Sequence, residues 1–80
     1  MNREELRKRL FDEKIPRAEY SLDGGLPNEA CCLGLNDGKW EIYYSERGRK
    51  TGLKVFASEE AACDYFYTWL TDSLKNMGLI

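Results

Sequence analysis

Hydrophobic residues recur at helical spacing near the start of the chain. Leu6, Leu10 and Phe11 form one apolar stripe in a segment that is otherwise rich in charge. The pattern predicts a helix over residues 2–14. Asn2 is suited to cap this helix, because its side chain can accept a hydrogen bond from a free backbone N–H of the first turn.

A second helical pattern closes the chain. Ser58 precedes two glutamates, which is typical of an N-cap followed by an acidic first turn. Gly78 is suited to end the helix, since glycine readily adopts the left-handed conformation of a C-terminal cap. The apolar stripe of this predicted helix consists of Ala62, Phe66, Trp69, Leu70, Leu74 and Met77.

The middle of the chain alternates as strands do. Residues 30–35 form a mostly apolar strand, Asn36-Asp37-Gly38 is a tight-turn sequence, and residues 39–45 form a second strand. Residues 17–22 and 53–56 read as two further short extended segments, and residues 46–52 as a polar loop. In the second strand, side chains point alternately to two faces: Trp40, Ile42 and Tyr44 to one, and Lys39, Glu41, Tyr43 and Ser45 to the other.

These elements predict an α+β fold in one domain spanning residues 1–80. The simplest closure is a two-layer sandwich, an antiparallel sheet of three to four strands with an N-terminal and a C-terminal helix. Both helices are expected on the face that carries Trp40. The opposite face, with Glu41 and Tyr43, is expected to be open to solvent or to a partner, as antiparallel sheets allow.

Composition narrows the class of protein. With 42% hydrophobic and 32% charged residues, the chain has the composition of a globular domain rather than of a disordered one. The formal net charge of −2 disfavours nucleic acid and membrane surfaces as partners, because both select a basic face. The charged N-terminus has no apolar segment typical of a signal peptide, so we expect a cytoplasmic protein.

The side chains offer little for catalysis. There is no histidine, which is the usual general base at neutral pH. The three cysteines, Cys31, Cys32 and Cys63, are odd in number and lie in apolar contexts, which favours buried free thiols over disulfides or zinc ligands. We therefore expect no enzyme activity, no metal and no cofactor.

Ten aromatic residues, five of them tyrosines, are the remaining unusual feature. Tyr43 and Tyr44 lie near the basic run at residues 47–50, so a small nucleic-acid-binding module is one interpretation, since tyrosines can stack on bases. The acidic balance of the chain favours a solvated loop instead. Exposed tyrosines beside charges are also common in protein-binding surfaces, and at the edge of a small core.

Three motifs resemble a family of small bacterial immunity proteins encoded beside polymorphic toxins, including contact-dependent growth inhibition systems. The likeness runs from Tyr20 to about Leu70 and leaves out the N-terminal helix. Its motifs are Tyr20-Ser21-Leu22-Asp23-Gly24-Gly25-Leu26-Pro27-Asn28-Glu29 followed by Cys32-Leu33, then Trp40-Glu41-Ile42-Tyr43-Tyr44-Ser45-Glu46-Arg47-Gly48, and then Phe56-x-Ser58-Glu59-x-x-Ala62-Cys63.

The resemblance implies a cytoplasmic inhibitor that binds the C-terminal domain of a cognate toxin and blocks its active site or another essential surface. Such toxins are often nucleases, whose active sites tend to be basic. Strand alternation and turn position give the candidate contacts as Glu19, Asp23, Glu41, Tyr43 and Glu46. The alternative in another class is a non-catalytic regulatory or interaction subunit of a larger enzyme.

Overall fold

The computed structural model describes residues 1–80 and confirms the predicted α+β order, in which one helix precedes the strands along the chain and one follows them. The sheet has four strands, and a short 3₁₀ turn at Arg17–Glu19 leads into the first of them. In chain order the elements are α1 (Arg3–Asp12), β1 (Tyr20–Ser21), β2 (Ala30–Asn36), β3 (Lys39–Glu46), β4 (Arg49–Phe56) and α2 (Glu59–Asn76).

Helix α1 is held at both ends by local hydrogen bonds. Asn2 and Glu5 each accept a backbone N–H of the other at 2.8 Å, which is a capping box. After the helix, Lys14 turns the chain in the left-handed conformation, and Ile15 N–H donates to the Leu10 carbonyl at 3.0 Å. The reversal brings Ile15 into the core.

The expectation that Phe11 belongs to the buried stripe of α1 is wrong, because its side chain is 69% exposed. Successive helix residues are rotated by about 100°, so Phe11 lies on the flank beside Leu10 rather than on the stripe. The buried residues of the helix are Leu6 and Leu10.

Strands follow one another in the sheet in the order β1-β2-β3-β4. The two hairpins are antiparallel as predicted, but β1 pairs with β2 in parallel, with Tyr20 beside Cys31 and Ser21 beside Cys32. A purely antiparallel sheet is therefore corrected to a mixed one. The cause is the connection over residues 22–29, which returns the chain to the end of the sheet where β1 begins, so that β2 runs in the same direction as β1.

Two-residue turns close both hairpins. Asp37-Gly38 has φ of 51° and 74°, and Arg47-Gly48 has φ of 51° and 73°, the paired positive values of a type I′ turn. The expected loop over residues 46–52 is therefore wrong, because Arg47 accepts the left-handed conformation and β4 begins at Arg49.

Helix α2 begins and ends as its sequence predicts. Ser58 Oγ accepts the Ala61 N–H at 3.2 Å, and Gly78 adopts φ of 74° while Leu79 N–H donates to the Leu74 carbonyl at 2.9 Å. Met77 was expected on the apolar stripe, but it follows the last helical residue and is 59% exposed.

The hydrophobic core lies between the helices and the front face of the sheet, which we define as the face that carries Trp40, Ile42 and Tyr44. This confirms the predicted helix-covered face. Trp40 and Tyr44 themselves are only half-buried at the margins. The core residues are Leu6, Leu10, Ile15, Leu22, Cys31, Leu33, Ile42, Ala62, Cys63, Phe66, Leu70 and Leu74.

The back face of the sheet is not open over its two central strands, which overturns the expectation for that face. Residues 23–25, which we call the strap, turn onto it after β1. Gly24 N–H donates to the Leu33 carbonyl at 2.9 Å, and the Tyr43 hydroxyl donates to the Gly25 carbonyl at 2.6 Å. Tyr43 is only 2% exposed as a result.

All three cysteines are buried, as the sequence predicts. Burial raises the pKa of the Cys31 thiol to about 12 and that of Cys63 to about 11. Because the thiolate is the nucleophilic form, these groups are nearly inert at neutral pH.

We therefore expect iodoacetamide to leave the native protein unmodified over a period that fully labels glutathione. In concentrated guanidinium chloride the same reagent should add three labels, counted by mass spectrometry. Rapid labelling of the native protein would show that a cysteine assigned to the interior is accessible.

Candidate protein-binding surface

The structure divides the five candidate contact residues between two places. Asp23, Glu41 and Tyr43 line a cleft of about 270 Å³ where the strap meets the back face. Glu19 and Glu46 lie instead near Tyr44, on the front side of the sheet at the end where β1 and β2 begin.

Charges in the back cleft are already paired within the chain. Glu41 Oε1 lies 2.9 Å from Lys50 Nζ, and Asn36 Nδ2 donates to Glu41 Oε2 at 3.4 Å. The hydrogen bond from Lys50 holds the pKa of the Glu41 carboxyl below its ordinary value. Asp23 accepts a hydrogen bond from Arg7 at 2.9 Å. A partner here would meet carboxylates whose charge is already offset by Arg7 and Lys50.

Tyr43 was expected to be exposed, and this expectation is wrong. The strap covers its hydroxyl, and Lys50 Nζ lies 4.9 Å from the centre of its ring. A buried ring cannot stack on a base. Of the two tyrosines considered for nucleic-acid binding, Tyr43 is therefore excluded and only Tyr44 remains. The physical role of Tyr43 is to hold the strap on the sheet.

Tyr44 forms the centre of a different surface. We define the Tyr44 patch as Tyr44 with Glu19, Glu29 and Glu46. Partial burial raises the pKa of the Tyr44 hydroxyl, and the nearby negative charges of Glu29, Glu46 and Glu19 raise it further. None of the three carboxylates forms an ion pair. The patch is therefore an acidic surface near a half-buried aromatic ring, with Arg49 opposite Glu46 in the β3–β4 ladder as the neighbouring cation.

Glu29 is the member of the patch that the sequence reasoning missed. Glu29 lies in a turn just before β2, outside the residues that pair with β3. Its negative charge acts on the Tyr44 hydroxyl together with those of Glu46 and Glu19. Because the residue belongs to an irregular connection, no periodicity in the sequence indicates its position.

The backbone of Glu29 is unfavourable. Its φ of 54° lies in the left-handed region, which costs an L-residue with a side chain roughly 1–2 kcal/mol. A carboxylate is thus held at this position against backbone preference.

Tyr44 connects the patch to a groove of about 330 Å³ between the hairpin β3–β4 and helix α2. Trp69 in this groove packs edge-on against the buried Phe66, with ring centres 6.0 Å apart, so its position is fixed by the core. The groove is lined by Ile42, Tyr44, Thr51, Gly52, Lys54, Tyr65 and Trp69. Tyrosine and tryptophan are the residues most enriched at the centres of protein interfaces.

Comparison with protein-family models, with curated proteins and with solved structures found no match for this chain. The chain contains no group of three or more His, Cys, Asp or Glu side chains placed to hold a metal ion. None of its helices combines the length and the apolar character needed to cross a bilayer.

Proposed function

We propose that this chain is an immunity protein that binds a cognate bacterial toxin domain, acts in the cytoplasm and neutralises the toxin without catalysing a reaction. The observation that carries the proposal is the Tyr44 patch, in which the charges of three carboxylates outside any ion pair act on one half-buried tyrosine beside an aromatic groove. The resemblance of the strap and β3 motifs to immunity proteins supports the same function.

The patch and the adjoining groove supply both the charge and the apolar area that a protein interface needs. The carboxylates of the patch attract a basic surface over a distance and speed association, while Tyr44 and Trp69 offer rigid apolar area at the centre. A nuclease active site, which must bind phosphates, is a basic surface of this kind. Covering it would exclude the substrate and require no chemistry from the inhibitor.

The decisive experiment pairs this protein with the product of the neighbouring toxin gene. The toxin domain is assayed for its activity, such as nuclease cleavage, with increasing amounts of the protein, and binding is followed by surface plasmon resonance. We expect complete inhibition at a stoichiometric ratio and an association rate that falls as salt is raised. Full toxin activity at saturating protein would rule out the immunity function and favour a regulatory subunit.

Charge variants test whether the contact lies on the patch. Glu29→Gly and Glu46→Gln should each weaken toxin binding by about twofold to tenfold, mainly through slower association. Glu29→Gly should not lower the melting temperature, because glycine accepts the left-handed backbone that this position adopts.

The matched control is Glu60→Gln, which removes an exposed and unpaired carboxylate on α2 outside the patch. This variant should bind like the parent. Equal losses for all three variants would mean that net charge alone drives association, and no loss for the patch variants would place the toxin on another surface.

A further inference from the structure

Strand β4 leaves one side of its backbone unpaired. It is the last strand of the sheet and bonds only to β3, so alternate N–H and C=O groups along Arg49–Phe56 point outward. All of its residues except Phe56 are exposed. An edge of this length is a template on which another extended chain can add a strand.

The two faces beside this edge differ in chemistry. Leu53 and Val55 point to the back face, where they are 47% and 52% exposed. Lys54 points to the front face, with its Nζ 5.9 Å from the centre of the Tyr65 ring. A strand added here would set one row of its side chains beside apolar groups and the other row beside a cation.

The charge of the β4 edge favours an acidic partner segment over a second copy of β4. Arg47, Arg49 and Lys54 form no ion pairs, and residues 47–58 include no acidic residue. A second copy of β4 would bring the same cations together. This repulsion disfavours self-pairing, and the unpaired cations attract carboxylates.

We propose that the β4 edge binds an extended segment of a protein partner in which carboxylate side chains alternate with apolar ones. Main-chain hydrogen bonds to β4 hold the segment. Its carboxylates face Arg49 and Lys54 on the front, and its apolar side chains cover Leu53 and Val55 on the back. The site adjoins the Tyr44 patch, since Arg49 pairs with Glu46 in the β3–β4 ladder and Lys54 lines the groove beside Tyr44. It depends on the β4 edge alone, so it stands whether or not the partner is a toxin.

The test uses the whole protein and two synthetic peptides of one composition. The probe is the capped heptapeptide Glu-Val-Glu-Val-Glu-Val-Glu, and its control is Glu-Glu-Val-Val-Val-Glu-Glu. Binding is followed by the shifts of backbone amide signals in ¹⁵N-labelled protein. We expect the alternating peptide to shift the amides of Arg49–Phe56 in a saturable way, and the control to shift them at least about fivefold more weakly.

A charge-reversed variant tests the electrostatic part. Arg49→Glu with Lys54→Glu should weaken the alternating peptide about tenfold, because each substitution replaces an attraction by a repulsion. The matched control, Lys39→Glu, reverses an exposed lysine in the β2–β3 hairpin and should bind like the parent.

Four outcomes would overturn the proposal. The first is shifts that do not include β4, and the second is equal binding of both peptides. The third is concentration-dependent dimerisation of the protein alone through the same amides in sedimentation experiments, which would assign the edge to a second copy of this chain. Binding of an RNA oligonucleotide that displaces the peptide would assign it to nucleic acid instead.

Discussion

Replacing Tyr43 by alanine is expected to lower the free energy of unfolding by about 3–5 kcal/mol, the usual cost of truncating a buried aromatic side chain. A chain of this length has roughly 4–12 kcal/mol of stability in total, so the variant would be barely folded or unfolded. The loss comes from the cavity left by a 2% exposed ring and from the hydrogen bond to the Gly25 carbonyl at 2.6 Å. Urea titration monitored by circular dichroism gives the value.

Tyr43→Phe separates the two contributions. It keeps the ring and removes only the hydroxyl, so the loss should be about 0.5–1.5 kcal/mol, the net contribution of one hydrogen bond, because Gly25 is exposed and water can reach its carbonyl. If Tyr43→Ala melted like the parent protein and instead lost toxin affinity, the ring would be an exposed binding residue, and the position of the strap would be wrong.

Replacing Gly34 by valine is expected to cost about 1–3 kcal/mol, although valine is by itself the better strand residue. A Cβ atom at this position would lie 3.0 Å from Gly24 Cα and 3.6 Å from Gly24 N. Because these are backbone atoms, no side-chain rotation relieves the contact, and the strap must lift away from β2. The melting temperature and the urea midpoint report the loss.

Gly34→Ala provides a graded comparison and should cost less than Gly34→Val. Combining Gly34→Val with Tyr43→Phe tests the mechanism, because a strap that has already lifted no longer makes the Tyr43 hydrogen bond. The two losses should therefore sum to more than the loss of the double variant. A Gly34→Val protein as stable as the parent would show that the strap does not lie against β2.

Elements with local signals were predictable from the sequence. The caps at Asn2 and Ser58, the terminal Gly78 and the Asp37-Gly38 turn all lie where nearby residues indicate. Each depends on hydrogen bonds or backbone angles within a few residues. The Arg47-Gly48 turn was missed because arginine rarely adopts the left-handed conformation, and the start of β4 was lost with it.

The environment of the back face was not predictable in the same way. Alternation correctly assigned Tyr43 to the face opposite Trp40, but it carries no information on whether another segment covers that face. The covering is a contact between residues 18 positions apart in the chain, Gly25 and Tyr43. The presence of two adjacent glycines before β2 predicted a turn and not a close approach of one backbone to another.

The candidate site likewise combines features that the sequence predicts with features that depend on distant contacts. Glu19 and Glu46 lie in the acidic patch, whereas Asp23 and Glu41 are occupied by Arg7 and Lys50. Composition shows an excess of carboxylates but not which of them are paired. That information requires the positions of the cations on neighbouring elements.

The two-residue turns have a consequence for the order in which the molecule folds. Strands β2, β3 and β4 form a meander joined at Asp37-Gly38 and Arg47-Gly48, and closing such short loops costs little chain entropy. The strap and helix α1 must instead find partners far along the chain, which makes their contacts slower to form. The meander should therefore be the folding nucleus. Until the strap docks, Cys32 and Tyr43 on the back face of the meander remain exposed to solvent.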